Sequence, residues 1–139
     1  MAGPLKTTAT VIPALRHRDA PAAIEWLCRA FGFERHRAVP GENGSIARAQ
    51  LRIGNGMMMP GSAGDGHFDA FVKPAGRGAP GTWSGDVLVD DPDAHRARAV
   101  AAGAEIVREI ESPEHGGRVD SGRDPEGHVG SFGSYDPWA

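Results

Sequence analysis

Two carboxylates in extended runs, Asp86 and Asp120, and one imidazole, His115, are the side chains best suited to proton transfer in this sequence. A carboxylate folded among apolar groups loses solvation. Desolvation raises its pKa towards the range in which it serves as a general acid or base. Each has an ordinary alternative. Asp86 can end an exposed strand, and Asp120 can pair with Arg118 at the surface. A second chemistry, metal chelation, requires several convergent imidazole, carboxylate or other oxygen donors. The six histidines show no His-x-His or His-x-x-x-His spacing. His17 and His36 lie in Arg-rich polar runs, which reads as solvent exposure. His95 falls on an expected helix as a surface or packing residue, and Asp65 and His67 read as exposed loop residues. The single cysteine, Cys28, lies on the apolar side of an expected helix. It reads as a buried structural thiol rather than a nucleophile.

The elements that must position these groups come from turn and cap signals. Asp124-Pro125-Glu126-Gly127-His128 joins two extended runs, Gly117–Arg123 and Val129–Tyr135, and reads as a β-hairpin turn. Asp19 is a helix N-cap with Pro21 in the first turn, and Gly32 is the stop. Ile24, Leu27, Cys28 and Phe31 form one apolar helix face between them. Ser45–Ile53 alternates, with Ala47, Ala49, Leu51 and Ile53 on one face and Arg48 and Gln50 on the other, and Gly54-Asn55-Gly56 turns the chain back. The pattern then repeats: strand Asp86–Val89, a helix from about Pro92 to Ala102 with an alanine-rich face, and strand Glu105–Glu109. An offset of 71 maps Asp19 on Asp90, Gly32 on Gly103 and Glu34 on Glu105, which indicates an internal duplication. The expected division is a first module over 1–60, a connector over 61–82 with one ordered stretch at His67–Val72, and a second module over 83–139, all within one domain.

Bulk properties remove several function classes. The 139 residues are 40% hydrophobic and 24% charged, with net charge −3 and pI near 6.0, and the arginines form no basic stripe. Nucleic-acid binding is therefore not expected. No apolar run approaches a bilayer span, and Met1–Thr8 lacks a signal-peptide core, so no membrane contact and a cytoplasmic location are expected.

Two βαβββ modules of this size resemble the vicinal oxygen chelate superfamily, which includes glyoxalase I, extradiol dioxygenases and bleomycin-binding proteins. The resemblance runs from about Val11 to Trp138. It rests on Asp19 with Ala23-Ile24-Glu25-Trp26, Gln50–Gly54, Val89–His95, Ala102–Val107, Asp124–His128 and Ser131–Trp138. It implies an α+β fold whose two βαβββ modules form a curved sheet around a central cavity, with helices on the convex faces. Catalytic members chelate a divalent metal through His, Glu or Gln on inward strand positions. The matching positions here are about Ile12, Ser84 and Ser131, with one among Met57–Met59. None is a competent ligand, so no metal and no cofactor are expected.

Several residues depart from what the resemblance leads one to expect in the cavity. Asp86 stands where an aromatic or apolar residue is usual, His115 where tyrosine often precedes Gly-x-Arg, and Gly130 where tryptophan is usual. Asp120 lies in a strand that often carries an aromatic. Fewer rings widen the cavity, and added carboxylates make it more polar. The residues expected to contact a ligand are Arg48, Gln50, Phe68, Trp83, Ser84, Leu88, Arg118, Gly130 and Ser131. Asp86, Asp120 and His115 are the candidates for acid–base work. The sequence thus points to a homodimer that binds a small organic molecule in a metal-free cavity. A metal-independent enzyme for an isomerisation, cyclisation or lyase step is the alternative, and a metal-dependent glyoxalase is disfavoured. The expected dimer covers apolar surface at Met57–Met59.

Overall fold

The computed structural model describes residues 8–139. The first module comprises β1 (Ala14–His17), α1 (Ala20–Phe31), β2 (Glu34–Pro40), β3 (Ile46–Ile53) and β4 (Gly56–Ser62). The second comprises β5 (Gly85–Leu88), α2 (Pro92–Ala101), β6 (Glu105–Glu111), β7 (Val119–Arg123) and β8 (Val129–Gly133). Their sheets have matching orders, β1-β4-β3-β2 and β5-β8-β7-β6, with the first pair parallel in each. This is the expected α+β fold of paired βαβββ modules. The connector carries a short 3-10 helix at His67–Ala70, inside the stretch expected to be ordered. Among the described residues no helix is long and apolar enough to cross a membrane.

Local chemistry sets the helix ends. Asp19 accepts a hydrogen bond from the Ala22 N–H at 3.2 Å, and Asp91 accepts one from Ala94 at 3.1 Å. The two N-caps are therefore Asp19 and Asp91, not Asp19 and Asp90, so the repeat runs at an offset of 72 through the caps. Gly32 and Gly103 keep the offset of 71, both at positive φ (83° and 93°). The second copy is one residue shorter between helix cap and stop.

The core lies between the helices and the sheets. Ile24, Leu27, Phe31, Ala49 and Leu51 are all buried, as the two periodicities require, while Ala47 escapes to the surface. Helix α2 buries only Pro92 and Ala99, because its polar side chains serve α1 instead. Arg98 donates to the carbonyls of Arg29 (2.8 Å) and Cys28 (3.0 Å), and His95 Nε2 donates to that of Phe31 (2.8 Å). These carbonyls lie in the last turn of α1 and have no intrahelical partner. In return Trp26 Nε1 donates to the Ala102 carbonyl at 2.7 Å. His95 is thus a packing residue, its ring stacked on Phe132 at 4.3 Å.

The Asp124–His128 turn closes the second junction between modules. His17 is 0% exposed, which corrects the expectation of solvent exposure. Its Nε2 donates to Asp124 Oδ2 at 2.9 Å, and its ring lies 4.5 Å from that of His128. The other Asp124 oxygen, Oδ1, accepts from the backbone N–H groups of Glu126 and His128, both at 2.9 Å. Glu126 accepts from the N–H groups of Arg18 and Asp19, and His128 Nε2 donates to the Arg16 carbonyl at 2.8 Å.

Burial pushes the Asp124 carboxyl up, but the bond and charge of His17 and the His128 N–H outweigh it and hold it below the usual range. A carboxyl depressed in the folded state stabilises the fold above its unfolded pKa. That contribution is lost as pH falls through the folded value. Asp124→Ala is therefore expected to cost about 3–5 kcal/mol at pH 7 in urea unfolding, the scale of breaking a buried pair. The loss should shrink in acid below the ordinary carboxylate range. A cost that stays constant as pH falls through and below that range would contradict this account.

Candidate functional site

The second sheet is a set of residue rows that alternate between its two faces, because successive strand side chains point to opposite sides. Strand pairing defines them: Gly85–Gly130–Gly122, Asp86–Ser131–Ser121, Val87–Phe132–Asp120 and Leu88–Gly133–Val119. Phe132 is 3% exposed and lies 4.4 Å from Phe31, so the first and third rows face the helices. Asp86 and Ser131 of the second row and all three residues of the fourth line an open trough of about 460 Å³.

Asp86 enters this trough because Val87 turns to the core. It has no hydrogen-bond or ion-pair partner among the described residues, and it is exposed. Its neighbour in the row, Ser131, shares a 2.7 Å hydrogen bond with Ser121. Leu88 and Val119 supply apolar floor, and Tyr135, Trp138 and His115 form a wall. The His115 and Tyr135 rings meet edge to face at 4.8 Å. Gly117, at φ 70°, lets the chain pass under Tyr135: a Cβ there would lie 2.6 Å from the Tyr135 nitrogen. Arg108 also borders the trough, but its charge is answered by Glu111 at 2.6 Å. Asp86 is therefore the uncompensated charge of the site.

The other expected site residues separate into three groups. Trp83 and Ser84 border a different concavity beside the connector. Arg48, Gln50 and Phe68 line neither depression. Arg48 and Gln50 lie on β3, on the face opposite buried Ala49 and Leu51, while Phe68 sits under Arg16 at 5.8 Å. The third group is on the helix side. Arg118 pairs with Asp93 at 2.7 Å and bonds Ser112, bracing the start of β7 against α2. The Arg118 hydrogen bond holds the Asp93 carboxyl below its usual range.

Gly130 does not widen the trough. It faces the core, where the Phe132 ring packs 3.2 Å from where its Cβ would stand. Asp120 shares that face and is 2% exposed, which sets it apart from Asp86 and from any surface pair with Arg118. Sequence reading missed Tyr135 and Trp138 as trough residues, although two aromatics near the last strand were a usable signal. It also placed the exposed apolar surface at Met57–Met59, which are only half exposed. Leu88, Tyr135 and Trp138 are more exposed, at 49%, 45% and 94%, as are Val11, Phe71 and Trp83 away from the trough. Cys28 is partly buried, and burial pushes its thiol up.

The positions that could hold a metal fit poorly. The residue opposite Ser131 is Asp86, not Ser84, and the equivalent pair in the first sheet is Ala14 and Met59. One carboxylate, one hydroxyl, one thioether and a methyl group do not make a divalent centre. Among the described residues no three His, Cys, Asp or Glu side chains converge.

Comparison with known proteins accords with this architecture. The chain belongs to the glyoxalase/bleomycin resistance protein/dioxygenase superfamily, whose model matches residues 9–132. It is 32% identical over 126 residues to an uncharacterised protein of Mycobacterium bovis, covering 87% of this chain and 80% of that one. Its backbone is similar to that of TioX from Micromonospora sp. ML1, with a TM-score of 0.73 and 30% identity over 92% of this chain and 99% of that one. A glyoxalase-related enzyme from Fulvimarina pelagi shares the fold at a TM-score of 0.67 and 20% identity, over 91% and 88% of the two chains.

Burial pushes the Asp120 carboxyl up, against the nearby positive charges of His95 and Arg96, and Oδ1 has no partner. The ionised form is penalised in the fold, so protonation of Asp120 favours folding and its contribution falls as pH rises through the raised pKa. Asp120→Asn is expected to leave the protein at least as stable at pH 7 in urea unfolding. A loss above about 1 kcal/mol would show that the carboxylate is held by compensating contacts.

Proposed function

We propose that this protein binds a small organic molecule in the trough on the concave face of the second sheet, without a metal, and sequesters or carries it. The observation behind this is the unpartnered Asp86 carboxylate beside exposed Leu88, Tyr135 and Trp138. An apolar and aromatic wall with few placed polar groups is the usual make-up of a small-molecule site. A planar ligand with an N–H donor or a positive charge satisfies both features: its ring lies against Tyr135 and Trp138, and its donor meets Asp86. The donor set at Ala14, Met59, Asp86 and Ser131 supports the metal-free reading.

The trough is open on one side. A second copy of the chain closes it and covers Trp138, so the binding form is a homodimer. Light scattering should then give about twice the 14.6 kDa chain mass at micromolar concentration, and the monomer mass alone would count against closure by a partner.

A second reading rests on Asp86 and His115 bordering the same trough. The pair then moves a proton on the bound molecule, as in an isomerisation or lyase step. One variant separates the two. In a thermal-shift and calorimetric screen of planar nitrogen heteroaromatics, Asp86→Asn should weaken the best binder by about 1–3 kcal/mol, the scale of one charged hydrogen bond. If the protein is an enzyme, the same variant should slow turnover by about 10²–10⁴-fold. Unchanged affinity and unchanged turnover would remove Asp86 from the site.

A further inference from the structure

A second concavity, of about 970 Å³, lies beside the connector and shares no lining residue with the trough. Its walls come from both modules. One is the segment leading into β1, with Val11 and Pro13; another is the connector, with Lys73 and Pro80, running on into Trp83; the third is the start of β8 next to His128. Val11 is 75% exposed and Trp83 60% exposed. A bare indole in the wall of a concavity this large offers a face on which a planar ring can stack.

The charge is one-sided. Among the described residues, the ionisable side chains along the groove are Arg16, Lys73 and His128, and none is acidic. His128 is held by the Arg16 carbonyl, and Arg16 is shared with Asp69 at 3.7 Å. Lys73 is exposed and has no counterion among the described residues. The trough shows the opposite pattern, since its one unanswered charge is the Asp86 carboxylate.

We propose that this groove is a second binding site, and that it takes a planar aromatic carboxylate whose ring stacks on Trp83 and whose carboxylate meets Lys73. A strongly hydrated ammonium at an exposed rim favours an anion that keeps part of its own hydration. The stacked ring supplies apolar burial. Because the connector and both modules contribute walls, the bound molecule ties the connector to the module junction. This site is independent of the reading of the trough.

The test is calorimetric titration of the full chain with 2-naphthoate, and with 2-naphthylmethylammonium as a ring of similar size and opposite charge. Wild type should bind 2-naphthoate saturably below about 1 mM and the cation at least about tenfold more weakly. Trp83→Ala should weaken 2-naphthoate by about tenfold or more, the scale of a stacked aromatic. Lys73→Ala should weaken it by about three- to tenfold and flatten its salt dependence. Lys73→Glu, an exposed change that leaves the core untouched, should reverse the preference between the two probes. Asp86→Asn should leave 2-naphthoate binding unchanged. The proposal fails if 2-naphthoate does not saturate, if Trp83→Ala and the Lys73 variants bind it as wild type does, or if Asp86→Asn abolishes its binding.

Discussion

The buried His17–Asp124 pair is the constraint on which the module arrangement depends. The two residues are 107 apart in sequence, and both are nearly free of solvent contact. An ion or strong dipole buried in this way is costly unless every lone pair and proton is answered. Here the carboxylate oxygens are answered largely by the backbone, while His17 Nδ1 has no partner among the described residues. Asp124 takes two N–H groups of its own turn, and Glu126 takes those of Arg18 and Asp19 in the link between β1 and α1. The turn's own N–H groups satisfy Asp124 Oδ1, but Asp124 Oδ2 and the Glu126 carboxylate find their partners only when the first module is docked. A polar turn therefore specifies the contact between modules, and its geometry leaves little freedom for sliding.

The apolar half of the same junction is set by missing side chains. The glycine row Gly85–Gly130–Gly122 leaves a shallow channel on the helix face of the second sheet. Phe31 of α1 reaches 3.6 Å from where a Gly122 Cβ would stand, and Phe132 folds over Gly130. A Cβ at Gly130 would crowd the Phe132 ring at 3.2 Å, whereas one at Gly122 would meet Phe31 at ordinary contact distance and one at Gly85 would stand in open space.

Much of this was legible in the sequence wherever a local rule decides. Asp19 and Gly32 bound a helix because an N-cap and a left-handed stop act within a few residues. Asp86 could be assigned a face because Val87 and Val89 fix the parity of its strand. Asp120 could not, because Val119 and Ser121 on either side carry no such preference. Its face is set by pairing with Phe132 on another strand. Gly130 misled for the same reason: an absent side chain does not say which face it empties. His17 misled because its neighbours, Arg16 and Arg18, are polar, while the partner that makes burial possible lies in the other module. The repeat was visible, but the slip from an offset of 71 to 72 was not, since Asp90 and Asp91 are chemically alike and only the bond to Ala94 separates them.

The row pattern also separates what the fold needs from what the trough offers. On the helix face, Phe132 and Gly130 are held by packing, the Phe132 ring lying against Phe31 and His95 and over Gly130. On the trough face, Asp86, Leu88 and Trp138 support no buried contact of the fold. Their exposure means that substitution costs the chain little, since surface changes away from caps and cores are usually worth within about 0.5 kcal/mol. A residue that carries no structural duty and still places a bare carboxylate beside bare aromatic surface is not explained by stability. The trough face can therefore vary its chemistry while the helix face and the Asp124 turn hold the frame. This is the physical sense in which one fold hosts several functions.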